Sequence, residues 1–207
     1  MQKIWIIEKK VLTLHPIWEF ITYNDMKRLL LTMFVMLGAV CGYGQTAGSG
    51  SVNGGSGFVV PELPEKATAA DCASLRARIP ECLDWLMTHD MDSKDKAEQL
   101  TRYQIYKFIL DWCGGTDELM FTLEDSFASY KTEFLLLYFL GGWASYYVTT
   151  NDKDGLNGRM AGVAAVIDYY KSYPKALKKD KKKITELIKM DEQGTLRQYI
   201  EDNMVKK

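Results

Sequence analysis

Histidine, cysteine and proline are scarce in this chain, and the first two scarcities exclude whole classes of chemistry. The 207 residues contain two histidines, four cysteines and five prolines. Zinc sites join cysteine and histidine ligands at short paired spacings, which this sequence does not contain. His89 is the only histidine after residue 44, and no pattern of a nucleophile with its base surrounds it. We therefore expect no metal, no cofactor and no catalytic residue, and we assign His89 a role at a helix end.

Phosphate-binding and hydrolase motifs are missing as well. The chain has no P-loop, no G-x-S-x-G and no H-E-x-x-H sequence. The glycine-rich stretch "GSGSVNGGSG" at 48–57 follows no predicted strand and precedes no predicted helix. It therefore does not fit a phosphate-binding loop, which needs a helix N-terminus directly behind it. These absences favour binding over catalysis.

No stretch of the chain after residue 44 is apolar for long enough to span a membrane. The most apolar segment, 134–148, covers 15 residues, whereas a membrane-spanning helix needs about 20. Apolar residues occur on all sides of this segment, which predicts a helix buried in a protein core. The mature chain is therefore expected to have no transmembrane segment.

The segment from Met26 to Gly44 has the layout of a secretory signal peptide. Two basic residues are followed by an apolar run and then by small residues, the order found in export signals. We predict cleavage between Gly44 and Gln45, which places the mature protein in the periplasm or outside the cell. Residues 1–25 resemble neither a signal nor a domain. We interpret them as a mis-assigned upstream start, with an unusually long basic region of the signal as the alternative.

The predicted mature chain begins with a flexible segment and continues as one domain. Residues 45–66 are rich in glycine and serine and then carry Pro61 and Pro64, a composition that buries too little apolar surface to fold. In residues 67–207 apolar side chains recur at three- and four-residue steps, the period of an α-helix. No stretch shows the two-residue alternation of a strand. The sequence thus predicts an all-α domain, a compact bundle of five or six helices with a kink or break at Pro80.

Two glycines in the middle of the most apolar helix predict a close helix contact. Gly141 and Gly142 each cost about 1 kcal/mol relative to alanine in a helix, so packing has to compensate. The segment at 155–173 offers a stripe of small residues that includes Gly158 and Gly162. We therefore predict that both Gly141 and Gly142 face the helix that contains Gly158 and Gly162.

Cys72, Cys82 and Cys113 follow the predicted cleavage site, and an oxidising compartment permits one disulfide among them. If the helices on either side of "THDMDS" at 88–93 form an antiparallel hairpin, Cys72 and Cys113 lie at the same height along it. Cys82 then lies opposite Tyr103, too far away to pair. We predict a disulfide between Cys72 and Cys113 and a buried thiol at Cys82. The alternative is that all three are small apolar core residues.

A run of lysines lies near the end of the domain, in "KSYPKALKKDKKK" at 171–183. Such a run suits an anionic surface such as lipid phosphates or lipopolysaccharide. Charge runs are, however, typical of solvated faces, and no aromatic residue interleaves the lysines after Tyr173, so nucleic acid is not an expected partner. The candidate residues for anionic-surface binding are Lys178, Lys179, Lys181, Lys182 and Lys183.

Three short stretches carry a resemblance to a known group of proteins. They are "ILDWCGGT" at 109–116, "FLGGWASYY" at 139–147 and "GTLRQYIED" at 194–202. Over residues 90–205 the chain resembles small secreted all-helical proteins of Bacteroidota, in which a W-x-x-G-T element precedes a G-G-W helix. The motifs are helix caps and packing glycines, so the resemblance implies an exported helical protein and implies nothing about mechanism.

These observations favour a secreted or periplasmic, non-catalytic helical interaction protein, whose partner is a protein or another component of the cell envelope. One alternative is an envelope hydrolase with a site built from carboxylates scattered along the chain. A buried pair of carboxylates in a pocket would favour it. The other alternative is a protein that binds anionic lipid or lipopolysaccharide surfaces through the lysines of 171–183. A steep dependence of binding on salt would favour that function.

Overall fold

The computed structural model describes residues 57–121, 129–132 and 134–205. The predicted signal peptide at 26–44, the segment 1–25 and the first part of the predicted linker lie outside the described residues. Every described residue belongs to one folded unit, Val52–Lys207. The described residues form seven helices and no strand, which confirms the prediction of an all-α domain. The helices are α1 (Ala69–Leu75), α2 (Arg78–Thr88), α3 (Lys96–Gly115), α4 (Leu135–Thr150), α5 (Gly155–Ser172), α6 (Lys181–Glu192) and α7 (Leu196–Val205).

The interruption predicted at Pro80 is a complete break between two helices. α1 starts with a capping box, in which the side chains of Thr68 and Asp71 each accept the other residue's main-chain N–H. α1 ends at Leu75 and α2 begins at Arg78, so Pro80 occupies the third position of α2. Proline is tolerated in the first turn because the N–H that it lacks has no partner there. This break raises the number of described helices above the five or six predicted.

The end of the predicted linker packs against α2. The ring centre of Phe58 lies 6.3 Å from that of Trp85. Nη2 of Arg78 donates to the main-chain oxygen of Val59 at 2.7 Å, and Leu63 is buried. Within the described residues, contact with the helices therefore begins at Phe58, ahead of the boundary that composition indicates. A few apolar side chains in a polar stretch are enough to dock it, because each one gains by leaving water.

Helix α4 lies at the centre of the bundle. All its residues from Leu137 to Ala144 are buried, and the helix packs against α2, α3 and α5. This environment confirms the prediction of a core helix that was made from apolar residues on all its sides. No helix in the described parts of the chain combines the length and the apolar character needed to cross a membrane.

The two central glycines pack against different helices, which corrects the expectation that both face α5. A Cβ on Gly142 would lie 2.8 Å from the main-chain oxygen of Ala161 on α5. A Cβ on Gly141 would instead lie 3.2 Å from Leu83 Cδ1 of α2 and 3.4 Å from Ile109 Cδ1 of α3. Successive residues of an α-helix point about 100° apart, because a turn takes about 3.6 residues. Only one of two adjacent glycines can therefore face a given neighbour.

All the described cysteines are buried thiols in the structure. Nε1 of Trp112 donates to the main-chain oxygen of Cys72 at 2.9 Å, which holds α1 against the end of α3. A Cβ on Gly115 would lie 2.9 Å from the sulfur of Cys72. The structure thus brings Cys72 beside the turn of α3 that contains Cys113. The disulfide between them stays a prediction for the oxidised protein, and Cys82 lies apart on α2.

Candidate functional site

A cavity opens between the first half of α3 and the loops that lead into α3, α4 and α6. Its volume is about 550 Å³, within the range of about 300–1,000 Å³ typical of small-molecule sites. We name it the basic cavity, and its lining residues are Met91, Asp92, Gln99, Arg102, Tyr103, Tyr106, Thr132, Phe134, Lys175, Ala176, Lys178 and Lys179.

Positive charge predominates around the basic cavity. Arg102, Lys175, Lys178 and Lys179 line it together with a single carboxylate, that of Asp92. The three lysines are exposed, and none of them forms an ion pair with a described residue. Cations gathered around a concave surface produce a positive potential that concentrates counter-ions there. The basic cavity therefore suits an anion.

Arg102 is the buried cation of this site. It is 4% exposed, its Nη2 donates to the main-chain oxygen of Asp90 at 2.6 Å, and its guanidinium lies 5.7 Å from the ring centre of Trp85. Its Nε has no hydrogen-bond partner among the described residues. No carboxylate in the described parts of the chain lies within ion-pair distance of it. Buried arginines are normally paired with an anion, so Arg102 retains the capacity to bind one.

Asp180 fixes one wall of the basic cavity. Its carboxylate accepts the main-chain N–H groups of Lys131 and Thr132 at 2.8 and 2.6 Å. Asp180 is 3% exposed and is the only buried carboxylate among the described residues. Such a group has to accept hydrogen bonds, because removing a charge from water is otherwise very costly. The two bonds join the segment before α4 to the start of α6.

Lys183 supports the same wall from α6. Its ammonium group donates to the main-chain oxygen of Ser129 and lies 4.6 Å from the ring centre of Tyr130, a cation–π contact. Burial lowers the pKa of Lys183, and the nearby carboxylate of Asp180 opposes that shift. Lys183 therefore holds the segment 129–132 in place.

Phe134 extends the wall with a strained backbone conformation. Its φ is 63°, in the left-handed region that bulky residues avoid. Its ring stacks on Tyr106 of α3, with ring centres 5.0 Å apart and an angle of 22° between the planes. Strained residues persist only where their surroundings hold them, and they cluster at ligand sites. The hydrogen bond that the N–H of the nearby Thr132 donates to Asp180 provides such a hold.

A set of buried tyrosines connects the basic cavity to the loop before α3. The hydroxyl of Tyr106 donates to that of Tyr138 at 3.3 Å, and the ring centres of Tyr138 and Tyr169 lie 4.3 Å apart. The Tyr169 hydroxyl accepts the N–H of Met91 at 2.7 Å and donates to the carbonyl of His89 at 3.2 Å. Burial raises the pKa of Tyr169 to about 12 and also raises the pKa of Tyr138. The hydroxyl of Tyr169 thus holds Met91, which lines the basic cavity, in place.

The candidate lysines from the sequence lie in three different environments. Lys178 and Lys179 line the basic cavity. Lys181 and Lys182 are exposed in the first turn of α6, outside the cavity lining. Lys183 belongs to the wall. The run is therefore not a single surface, and only its first members border the candidate site.

Sequence reasoning did not identify Arg102, Thr132 or Phe134 as site residues. For Arg102 a local signal existed: the buried Ile105 and Tyr106 follow it by three and four residues, so Arg102 lies on a buried face of α3. A charge on such a face needs a partner. Thr132 and Phe134 gave no local signal, because the hydrogen bond that positions this segment comes from 48 residues away along the chain.

Two carboxylates outside this cavity accept hydrogen bonds from tyrosine hydroxyls. Glu118 pairs with Arg76 at 3.2 Å and accepts the hydroxyl of Tyr147 at 3.0 Å. Asp152 accepts the hydroxyl of Tyr146 at 2.7 Å. The described residues contain neither a buried pair of carboxylates nor a group of histidine, cysteine and carboxylate side chains that could hold a metal ion. The arrangement that a carboxylate hydrolase requires is therefore not found in the described parts of the chain.

A comparison with protein-family models, curated proteins and solved structures found no match to this chain. The basic cavity is therefore the basis for assigning a function.

Proposed function

We propose that this protein is an exported, non-catalytic binding protein that holds a small anion in the basic cavity. The observation that carries the proposal is Arg102, a buried guanidinium with no carboxylate partner among the described residues. Leaving such a charge unpaired is costly, and an anionic ligand in the cavity would remove that cost. Binding would thus be favoured in two ways: the anion forms a charge-assisted hydrogen bond, and the buried charge of Arg102 is neutralised.

The three exposed lysines of the cavity supply a second contribution. Lys175, Lys178 and Lys179 lie on the segment between α5 and α6, which contributes to the lining of the basic cavity. Each adds about 1 kcal/mol of attraction at 4 Å in water, and salt screens this attraction. The lysines therefore raise the association rate of the anion, while Arg102 forms the direct contact with the bound anion.

Binding fits the lining of the basic cavity better than catalysis does. The described lining holds one carboxylate, Asp92, and neither histidine nor cysteine. The hydroxyl of Tyr106 is engaged with Tyr138. General acid–base catalysis needs a positioned group that exchanges a proton near neutral pH, and nucleophilic catalysis needs an activated side chain next to its base. The residues around this cavity offer neither combination.

The signal-like segment at 26–44 and the resemblance to secreted helical proteins of Bacteroidota support an exported location. The partner in that compartment is then an anionic component of the cell envelope or of the medium. We thus assign the non-catalytic interaction role expected from the sequence to the basic cavity, in place of an extended lysine surface.

Calorimetric titration of the mature chain with inorganic phosphate and with phenyl phosphate tests the proposal. The variant Lys175→Gln/Lys178→Gln/Lys179→Gln should lose about tenfold or more in affinity, because three attractive charges are removed. The matched control, Lys171→Gln/Lys181→Gln/Lys182→Gln, removes the same charge from exposed positions of the same run.

The control variant should bind the better of the two anions as the unaltered protein does. Equal losses in the two triple variants would mean that diffuse surface charge, and not the basic cavity, attracts the anion. That result would contradict the proposal, as would the failure of both anions to bind the unaltered protein.

A further inference from the structure

We propose that the anion bound in the basic cavity carries an aromatic ring, and that Tyr103 and Phe134 recognise this ring. The inference rests on the proposed anion-binding function and names its ligand class, a single-ring aromatic phosphate or carboxylate. Both kinds of ligand share a planar apolar body and one oxyanion group.

The cavity is larger than an inorganic anion needs. The basic cavity measures about 550 Å³, whereas a cavity of about 150 Å³ is enough to hold benzene. A phosphate or acetate ion alone would fill only a small part of the space near Arg102. A ligand that carries a ring can contact Arg102 and further lining residues at the same time.

Three of the seven uncharged residues that line the cavity are aromatic. Tyr103 and Phe134 are half-buried and line the basic cavity together with the buried Tyr106 and with Met91. Aromatic rings prefer offset-stacked or edge-to-face partners with centres about 4.5–7 Å apart, and a methionine sulfur also packs well against a ring edge. These side chains therefore favour a flat, unsaturated ligand body over a hydrated one.

The backbone of Phe134 gives independent support for a role of its ring. A φ of 63° is unfavourable for a bulky residue, which glycine or asparagine would occupy with less strain. The phenylalanine is held in this conformation with its ring in the cavity wall, stacked on Tyr106. Strained residues of this kind cluster at ligand sites.

The oxyanion group would contact Arg102 and the lysines. A guanidinium is planar and offers parallel donors that match both carboxylate and phosphate, so Arg102 accepts either. Its Nη2 is already engaged by the carbonyl of Asp90. The remaining donors, with Lys175, Lys178 and Lys179 around them, determine which oxyanion binds more tightly, and the experiment separates the two.

The experiment titrates the mature chain with five probes by calorimetry. Phenyl phosphate is compared with methyl phosphate and benzoate with acetate, so that each pair exchanges a phenyl group for a methyl group on the same oxyanion. Benzyl alcohol supplies the ring without the charge. We expect each aromatic anion to bind about tenfold or more tightly than its ring-free partner, because part of a ring leaves water. The tighter of the two aromatic anions identifies the preferred oxyanion.

A pair of variants assigns the effect to the two side chains. Tyr103→Leu/Phe134→Leu should remove most of the preference for the aromatic anion, whereas Tyr170→Leu, at a half-buried position of α5 outside the cavity lining, should retain it. Tyr103→Leu alone serves if the double variant does not fold, and it should lower the preference by a smaller factor.

The outcomes distinguish this inference from the proposed function. If the ring-free anions bind as tightly as the aromatic ones, the aromatic inference is overturned and anion binding stands. An unchanged preference in the Tyr103 variants also overturns the inference. If benzyl alcohol binds as tightly as phenyl phosphate, or if no anion binds, the anion-binding function itself is overturned.

Discussion

Gly142 of α4 packs against Ala165 of α5 with no room for a side chain. A Cβ on Gly142 would lie 2.7 Å from the Cβ of Ala165. Real Cβ atoms do not approach so closely, and the neighbouring main chain of α5 leaves no direction in which the contact can relax. The absence of a side chain at residue 142 therefore sets the distance between the two helices.

Gly142→Ala should destabilise the protein, and Gly141→Ala should not. The added methyl at residue 142 meets the main chain and Cβ of α5, an overpacking that costs about 1–3 kcal/mol. At residue 141 it meets only the ends of Leu83 and Ile109, which can shift, and alanine gains about 1 kcal/mol in helix propensity. Urea unfolding of the two variants measures the difference. Equal loss of stability in both would show that the α4–α5 contact is not the tighter one.

Gly141 and Gly142 show how much of the packing could be predicted from the sequence. Adjacent glycines in an apolar helix predicted a close helix contact, and that contact exists at Gly142. The sequence could not show which helix Gly141 contacts. Helix geometry gives the direction in which residue 141 points, but only the tertiary fold determines which helix lies in that direction. Gly141 faces α2 and α3, which pack on another side of α4.

Asp180→Asn should loosen the wall of the basic cavity. An amide oxygen can keep one of the bonds from Lys131 and Thr132, but its NH2 group would then oppose the other N–H. A buried donor left unsatisfied costs about 1–3 kcal/mol. We also expect weaker binding of phenyl phosphate, because Thr132 and Phe134 line the cavity. Urea unfolding and calorimetric titration of the mature chain measure the two effects.

Asp168→Asn is the matched control for that change. Asp168 is an exposed carboxylate on α5, 3.8 Å from Lys171, and surface pairs of this kind contribute about 0–1 kcal/mol. The Asp168→Asn substitution should change the stability and the binding of phenyl phosphate much less than Asp180→Asn does. If Asp180→Asn proves as mild as the control, the buried carboxylate does not fix the wall.

The basic cavity itself was beyond sequence reasoning for a physical reason. Its two sides come from segments far apart in the chain, and the bond from Lys131 to Asp180 spans 49 residues. Of the residues that line it, only Lys178 and Lys179 were among the candidates from the sequence, as members of a charge run. A helix forms from residues close together in the chain, so it produces a periodic pattern in the sequence. A cavity depends on how distant loops pack against the helices, and the spacing of nearby residues does not show that packing.

Stability should fall above about pH 9, because buried thiol and phenol groups resist ionisation. Burial raises the pKa of Cys82 from 9.0 to about 12 and that of Tyr169 from 10.0 to about 12. The folded protein therefore keeps these protons after the unfolded chain has lost them. Their stabilising effect is complete below the unfolded pKa and is lost as pH rises toward the folded value.

Cys82→Ala isolates one of these groups. Between about pH 9 and pH 12 the variant should lose less stability per pH unit than the unaltered protein, by up to about 1.4 kcal/mol for one proton. Urea unfolding under reducing conditions at several alkaline pH values gives the slope. An identical slope in the two proteins would show that the thiol of Cys82 does not remain protonated in the fold.

The last prediction is a disulfide between Cys72 and Cys113 in protein that has passed through an oxidising compartment, with Cys82 left as a thiol. The hydrogen bond from Trp112 to the carbonyl of Cys72 holds the first cysteine beside the turn of α3 that contains the second. Burial raises the pKa of both thiols, so the folded protein forms the bond slowly. The bridge should therefore form during export, before the core closes.

Thiol counting on exported protein, denatured without reductant, decides between the bridge and three core cysteines. One reactive thiol per chain, at Cys82, is expected, and the same protein made under reducing conditions should give three, at the cysteines that follow the predicted cleavage site. Closing a loop of about 40 residues should stabilise the oxidised protein by about 3–4 kcal/mol. The variant Cys72→Ser, exported in the same way, should lose that stabilisation and expose two thiols on denaturation. Three thiols in the exported, unreduced protein would rule the bridge out and leave Cys72 and Cys113 as small apolar residues that fill the contact between α1 and α3.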